Sequence, residues 1–125
     1  MDCPLCAMVN EKEVLFANRQ ITIANTKEKH RHKERIMVLS NRHVETVPEQ
    51  FYTHALGVLV EVGKSVFSYT CKFVVFNSTY GRNQDHWHLV ASDLDSNADD
   101  FERMLATPWI QVVDNGTEGL TSRKR

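Results

Sequence analysis

Short runs of β-branched and aromatic residues, separated by turn-forming residues, dominate the hydrophobic pattern of this chain. Such runs predict strands when Gly, Pro, Asn, Asp or charged clusters bound them. The predicted strands lie at 14–16, 20–24, 35–40, 72–77, 85–92 and 109–113. The first two flank a turn at Asn18 and Arg19. Strands 72–77 and 85–92 are expected to be antiparallel neighbours. Together the runs predict an antiparallel sheet of about five strands.

One stretch has a different period. From Phe51 to Phe67 the apolar residues recur at helical spacing, and Pro48 and Glu49 precede them as a typical first turn. We predict a long helix over about 47–68 whose wide apolar face lies on the sheet, and a short helix over 99–105. Strands interrupted by one long helix are typical of the α+β class.

The length, composition and net charge of the chain predict one soluble domain. A chain of 125 residues suffices for a single core, which we assign to 1–114, with 115–125 as a disordered tail. A net charge of −1 argues against bulk binding to nucleic acid or to an anionic membrane. The sequence has no apolar run of membrane-spanning length and no secretory signal, so we expect a cytoplasmic protein.

Two histidines in the predicted strand 85–92 are the main functional signal. His86 and His88 are two positions apart, so their rings would leave the same face of a strand, while Trp87 and Leu89 would point into the core. Imidazoles in this arrangement indicate a metal, a phosphate or a bond to be broken. Two alternating histidines are about as often packed polar residues without a chemical role.

A second signal is the Cys3-x-x-Cys6 spacing, which lets two thiolates reach one tetrahedral ion. Two free thiols are an equally good explanation of that spacing alone. His43, just past the strand 35–40, and His86 would complete a closed Cys2His2 set, which is typical of structural zinc. Three cysteines in a reducing compartment argue against a disulfide framework.

The remaining histidines and the third cysteine are left out of the predicted site. His30 and His32 lie in the charged run 27–35 and are predicted to face water in a solvated loop. His54 is predicted at the solvent edge of the long helix. Cys71 is interpreted as a small buried hydrophobic residue.

The loop between strands 72–77 and 85–92 has the composition of a phosphate site. Gly81 permits close backbone approach and Arg82 supplies positive charge. The loop also supplies neutral hydrogen-bond donors, which are Asn77, Asn83 and Gln84. Because a neutral imidazole is a good nucleophile towards phosphorus, His88 is a candidate nucleophile for a phosphate held by this loop.

The order of these features resembles the histidine triad superfamily. The features that carry this resemblance span roughly residues 3 to 92 of this chain. They are Cys3-x-x-Cys6, a strand running into Val38-Leu39-Ser40-Asn41-Arg42-His43-Val44-Glu45-Thr46, a long helix, and Asn77…His86-Trp87-His88-Leu89-Val90. The resemblance implies a histidine-triad-like (HIT-like) fold and attack of the middle histidine on a nucleotide α-phosphate. Members of the superfamily are often homodimers.

The resemblance also implies a metal set. Zinc-bearing members, which include the galactose-phosphate uridylyltransferases, bind zinc with the residues that correspond to Cys3, Cys6, His43 and His86.

Two registers of the motif are open. Taking Gln84, His86 and His88 as its three positions makes His86 the nucleophile. Taking His86, His88 and Val90 makes His88 the nucleophile and leaves His86 for zinc. We favour the second because it completes the zinc set. In addition, the preceding loop resembles that of the CDP-diacylglycerol pyrophosphatase branch, where the glutamine stands four residues before the attacking histidine.

Two functions follow from this register. The first is a nucleotide hydrolase or nucleotidyltransferase that acts on a nucleotide-type small molecule through His88, with Asn77, Arg82, Asn83 and Gln84 binding the substrate. The second is a non-catalytic, zinc-stabilised module that binds nucleotides or a protein. Val90 favours the second function, since it replaces the polar third residue of the motif.

Overall fold

A six-stranded antiparallel sheet forms the centre of the molecule. The structure is a computed structural model that describes residues 3–9, 13–27, 29–77 and 86–115. The elements are α1 (Pro4–Val9), β1 (Phe16–Ala17), β2 (Ile21–Asn25), β3 (Arg35–Ser40), α2 (Glu49–Val66), β4 (Lys72–Phe76), β5 (His88–Asp93), α3 (Phe101–Leu105) and β6 (Ile110–Asp114). The strand order is β1-β2-β3-β5-β4-β6.

The predicted α+β class and antiparallel sheet are confirmed, with six strands against the expected five or so. The long helix lies inside the predicted range 47–68, and α3 lies inside 99–105. Helix α1 was not predicted, because six residues are too few to show a helical period.

Helix α2 covers one face of the sheet. Its buried positions Ala55, Leu59 and Gly63 are four residues apart and therefore form a single stripe. At Gly63 an added Cβ would lie 2.7 Å from the ring of Phe73, and that ring is itself stacked on Phe67 at 4.9 Å. The missing side chain lets the helix approach the sheet closely at this point.

Two short helices pack against the opposite face. Leu5 and Met8 of α1 pack on Ala24 and Leu39, at the β2–β3 side of the sheet. On the β4–β5 side, Met104 of α3 belongs to a separate apolar cluster, which also contains Val74, Phe76 and Val90. The face opposite α2 is therefore covered by two separate apolar clusters.

In the part of the chain that the structure describes, no helix is long and apolar enough to cross a bilayer.

The structure describes the first residue of the predicted tail. Asn115 is bound to the fold, since its amide Nδ2–H donates to the carbonyls of Phe67 and Thr70 at 2.8 and 3.2 Å. The rest of the predicted tail lies outside the described residues, and the assignment of 1–114 as one domain stays a prediction.

Candidate functional site

The antiparallel pairing of β3 and β5 places two histidine-bearing segments side by side. Leu39 pairs with His88, the Ser40 N–H donates to the Trp87 carbonyl at 3.3 Å, and the Trp87 N–H donates to the Val44 carbonyl at 2.7 Å, which draws the segment after β3 back against the start of β5. His43 and His86 consequently face each other, with ring centroids 5.0 Å apart. The apolar contacts of α1 bring the two N-terminal cysteines to the same place.

Four donor atoms converge there. They belong to Cys3, Cys6, His43 and His86, and all lie within 4.8 Å of one another. The Sγ–Nδ1 distances are 3.5 Å for Cys3 to His86, 3.1 Å for Cys6 to His43 and 3.6 Å for Cys6 to His86. Sulfur and nitrogen bound to one tetrahedral zinc ion stand roughly 3.5 Å apart. The four residues predicted from the sequence thus form a cluster that could bind a metal ion and is compatible with zinc.

His86 is oriented as a metal ligand would be. It is fully buried, and its Nε2–H donates to the Ser40 carbonyl at 2.8 Å. That bond leaves the lone pair on Nδ1, the nitrogen that faces the two sulfur atoms. Histidines that bind metals commonly donate their other N–H to a backbone carbonyl in this way. The hydrogen bonding therefore favours the metal interpretation of His86 over a merely packed imidazole.

His88 has a different environment. Its Nδ1–H donates to the His86 carbonyl at 2.8 Å, so Nε2 carries the lone pair. Burial lowers the pKa of His88 below its ordinary value of 6.5, and the hydrogen bond to the His86 carbonyl opposes this only in part. At neutral pH the imidazole is consequently uncharged. A neutral imidazole with a free lone pair on Nε2 is the nucleophilic form.

Val90 occupies an apolar cluster. It is opposite Met37 on β3 and Phe76 on β4, and it packs with Met104. The third position of the favoured motif register is therefore a core residue with no polar group to offer a substrate.

The predicted phosphate loop is only partly described. Asn77 is exposed just past the end of β4, where its backbone N–H donates to the Trp109 carbonyl at 3.2 Å. Arg82, Asn83 and Gln84 lie outside the described residues, so their contribution stays a prediction.

His32 is the clearest error of the sequence-based prediction. It is buried and does not face water: its Nδ1 lies 2.6 Å from Asp93 Oδ1 and its Nε2 lies 2.9 Å from Asp100 Oδ1. Positive φ angles at His30 (50°) and Arg31 (74°) turn the chain immediately before it. The His32 N–H closes this turn on the Lys29 carbonyl at 2.8 Å.

Two further groups complete the surroundings of these carboxylates. Arg35, at the start of β3, is buried with its Nη1 2.7 Å from Asp100 Oδ2. The hydroxyl of Tyr69 donates to Asp93 Oδ2 at 2.6 Å. The charged run 27–35 is therefore not a fully solvated loop, because part of it packs inside the protein.

The two other side chains left out of the site had different outcomes. His54 is exposed on α2, as predicted, and its Nε2 accepts from Asn18 Nδ2 at 3.2 Å. Cys71 is exposed and not buried. It stands in the turn before β4, whose buried positions begin only at Phe73.

Comparisons with known proteins support the fold. No family model and no curated protein matches the chain. Among solved structures, the chain is similar to a histidine triad protein from Clostridium difficile, with a TM-score of 0.58 and 18% identity over 73% of this chain and 89% of that one. It is also similar to a HIT family hydrolase from Legionella pneumophila Philadelphia 1, with a TM-score of 0.59 and 13% identity over 72% of this chain and 90% of that one. The chain has the fold of histidine triad proteins.

Proposed function

We propose that this protein is a nucleotide hydrolase or nucleotidyltransferase that acts at an α-phosphate, with His88 as the nucleophile. The observation that carries the proposal is the different orientation of the two neighbouring histidines. His86 turns its lone pair towards Cys3 and Cys6, whereas His88 donates from Nδ1 to a backbone carbonyl and keeps Nε2 for another partner. The HIT-like fold and the hydrolase among its structural neighbours support the same reaction class.

The reaction has two steps. In the first, His88 Nε2 attacks the α-phosphorus, a P–N bond forms, and the P–O bond to the leaving group breaks with its electron pair. The ring becomes positively charged in this step, and the Nδ1–H bond to the His86 carbonyl stabilises that charge. In the second step, water or another acceptor attacks phosphorus, the P–N bond breaks, and the acceptor's proton is released.

Metal binding has an orienting role in this proposal. Cys3, Cys6, His43 and His86 would hold a zinc ion, and these four donors leave no open position for a water molecule. The bound ion would supply a fixed anchor for the segment that enters β5. It would thereby fix the carbonyl of His86 that orients the His88 ring.

Substrate binding is assigned to the loop that precedes the histidine motif. Asn77, Arg82, Asn83 and Gln84 are the proposed phosphate-binding residues, and the substrate class is a nucleotide-type small molecule. A cytoplasmic location and a homodimeric state are expected from the sequence and from the resemblance, and both stay predictions.

A trapped intermediate tests the proposal. Incubation with nucleotides labelled at the α-phosphate, followed by an alkaline quench, should leave acid-labile label on the protein. We expect His88→Ala to lose the label and His54→Ala to keep it, because His54 is an exposed histidine on α2. Label that survives His88→Ala but is absent from His86→Ala would assign the nucleophile to His86.

The non-catalytic binding module is the second candidate, and the apolar packing of Val90 favours it. It predicts nucleotide binding by calorimetry without label for any nucleotide class. Label in the wild type, lost in His88→Ala, rules it out.

A further inference from the structure

A cavity of about 760 Å³ opens on the α2 side of the molecule. Its walls come from the β1–β2 turn, from the segment that follows β3 and from the start of α2. The lining residues that matter here are Arg19, Arg42, Val44, Val47, Phe51 and His54. His43, His86 and His88 are not among the residues that line it, so the cavity is separate from the histidine face.

The segment after β3 separates the cavity from the metal donors. Arg42 and Val44 line the cavity, while His43 between them turns the other way and lies 3.1 Å from Cys6 Sγ. Ser40 also lines the cavity, and its carbonyl accepts the hydrogen bond from His86. One short segment therefore presents one set of side chains to the metal donors and another to the cavity.

The charge of the cavity is one-sided. Arg19 and Arg42 line it, and among the residues that the structure describes no Asp or Glu does. Within the part of the chain that the structure describes, neither guanidinium takes part in an ion pair. Two cations on a concave surface without a carboxylate create a local positive potential, although the whole chain has a net charge of −1. The charge of the cavity thus favours an anionic ligand.

The turn that carries Arg19 is held in place. The Asn18 Oδ1 atom accepts from the N–H groups of Gln20 and Ile21 at 2.8 and 2.9 Å, and the Asn18 Nδ2 atom donates to His54. His54 Nε2 accepts this hydrogen bond with its lone pair. Arg19 is therefore presented from a preorganised turn, which lowers the entropic cost of binding.

The opposite wall is apolar. Val44, Val47 and Phe51 line it, and the Phe51 ring is fixed edge-on against Trp87 with centroids 5.5 Å apart. A ligand that fits both walls carries an anionic group and a compact apolar body. Two guanidinium groups from different segments match the three terminal oxygens of a phosphate better than the two oxygens of a carboxylate, both of which a single arginine can contact.

We propose that this cavity binds an apolar or aromatic phosphomonoester at a site separate from the histidine face. The phosphate lies between Arg19 and Arg42, and the apolar body packs on Phe51. This proposal does not depend on catalysis by His88.

Phenyl phosphate is a suitable probe, and binding is followed by amide chemical shifts of the full chain. We expect shifts at residues 18–20, 42–44 and 49–54, and at least a tenfold rise in Kd for the double variant Arg19→Gln/Arg42→Gln. Both arginines are exposed, so the double variant should fold, and its thermal transition provides the check. Lys64→Gln is the matched control, because it removes an exposed cation from the last turn of α2.

Three results would overturn the proposal. The first is an unchanged Kd in the double variant. The second is equal or tighter binding of benzoate, which would make the site one for carboxylates. The third is a set of shifts confined to residues 86–90 and abolished by His88→Asn, which would place phosphate at the histidine face alone.

Discussion

The paired strands β3 and β5 have a histidine-containing cluster at each end, and the two clusters differ in chemistry. At one end, beyond the pair Leu39–His88, the rings of His43 and His86 meet two thiols. At the other end, beyond the pair Arg35–Ser92, the ring of His32 meets two carboxylates. The sheet is thus joined to its flanking segments by soft sulfur donors at one end and by charged oxygen atoms at the other.

The two rings have different hydrogen-bonding partners. His86 donates from one nitrogen and turns the lone pair of the other towards sulfur, which suits a neutral ligand. Both nitrogens of His32 face carboxylate oxygens, and this arrangement is satisfied when the ring carries both protons. Arg35 adds a positive charge 2.7 Å from Asp100. The same residue type therefore faces thiols in one cluster and carboxylates in the other.

The largest expected effect comes from breaking the carboxylate cluster. Asp100→Ala removes a buried partner of both His32 and Arg35, and uncompensated buried charge typically costs about 3–5 kcal/mol of unfolding free energy. Its neighbour Asp99 pairs only with Arg31 in the described part of the chain, and both side chains are largely exposed. Asp99→Ala should therefore cost less than about 1 kcal/mol. Urea unfolding of the two variants at neutral pH measures the difference, and equal losses would contradict a structural role for the buried cluster.

Metal removal should have the next largest effect and act at the other end. We expect about one zinc ion per purified chain. Chelation should lower the unfolding free energy by about 2.7 kcal/mol if free zinc had stood at a hundred times Kd. Amide exchange near His43 should accelerate, while exchange near His32 stays unchanged.

The matched variants for this test are Cys6→Ser and Cys71→Ser. The first removes a donor and should lose zinc, and the second alters an exposed thiol outside the cluster and should keep it. Metal-free protein with the same thermal midpoint, or equal zinc loss in both variants, would refute the metal site.

The smallest effect should appear in alkali at the carboxylate end. Burial, together with the hydrogen bond to Asp93 and its charge, raises the pKa of Tyr69 far above its ordinary value of 10.0. The folded state then holds this proton more tightly than the unfolded chain, so the stabilisation is complete below about pH 10 and is lost as pH rises further. The effect should stay below about 1 kcal/mol, since the residue is 42% exposed. Unfolding free energies between about pH 9 and pH 11 should decline less steeply in Tyr69→Phe than in the wild type. Equal slopes would show that the hydrogen bond from Tyr69 to Asp93 does not contribute to the unfolding free energy.

The sequence predicted the thiol end because its signals are local. The strand 35–40 coincides with β3, and His43 follows it within the same segment. The Cys-x-x-Cys spacing is compact, and the apolar pattern of 85–92 identified the strand that follows His86. Each of the four residues therefore lay beside a feature that a short window of sequence shows, although the sequence had no sign of helix α1, which contains Cys6 and directly follows Cys3.

The carboxylate end could not be predicted in the same way. His32 meets Asp93 and Asp100, which are 61 and 68 residues away. Nothing in the run 27–35 distinguishes a buried imidazole from a solvated one, because the burial arises from a turn with two positive φ angles and from strand pairing. Charge patterning alone indicates exposure, and here tertiary structure reversed it.

Trp87 connects several of these features. Its backbone N–H donates to the segment after β3, and its ring packs edge-on against Phe51 of the cavity, 5.5 Å away, and against Tyr52, 5.9 Å away. The chain has only one other tryptophan, Trp109, which also contacts Tyr52. Replacing Trp109 by Phe would leave a single indole whose fluorescence responds both to metal at the thiol end and to a ligand against Phe51. Trp87 thus offers one intrinsic optical probe for testing both the metal site and the cavity.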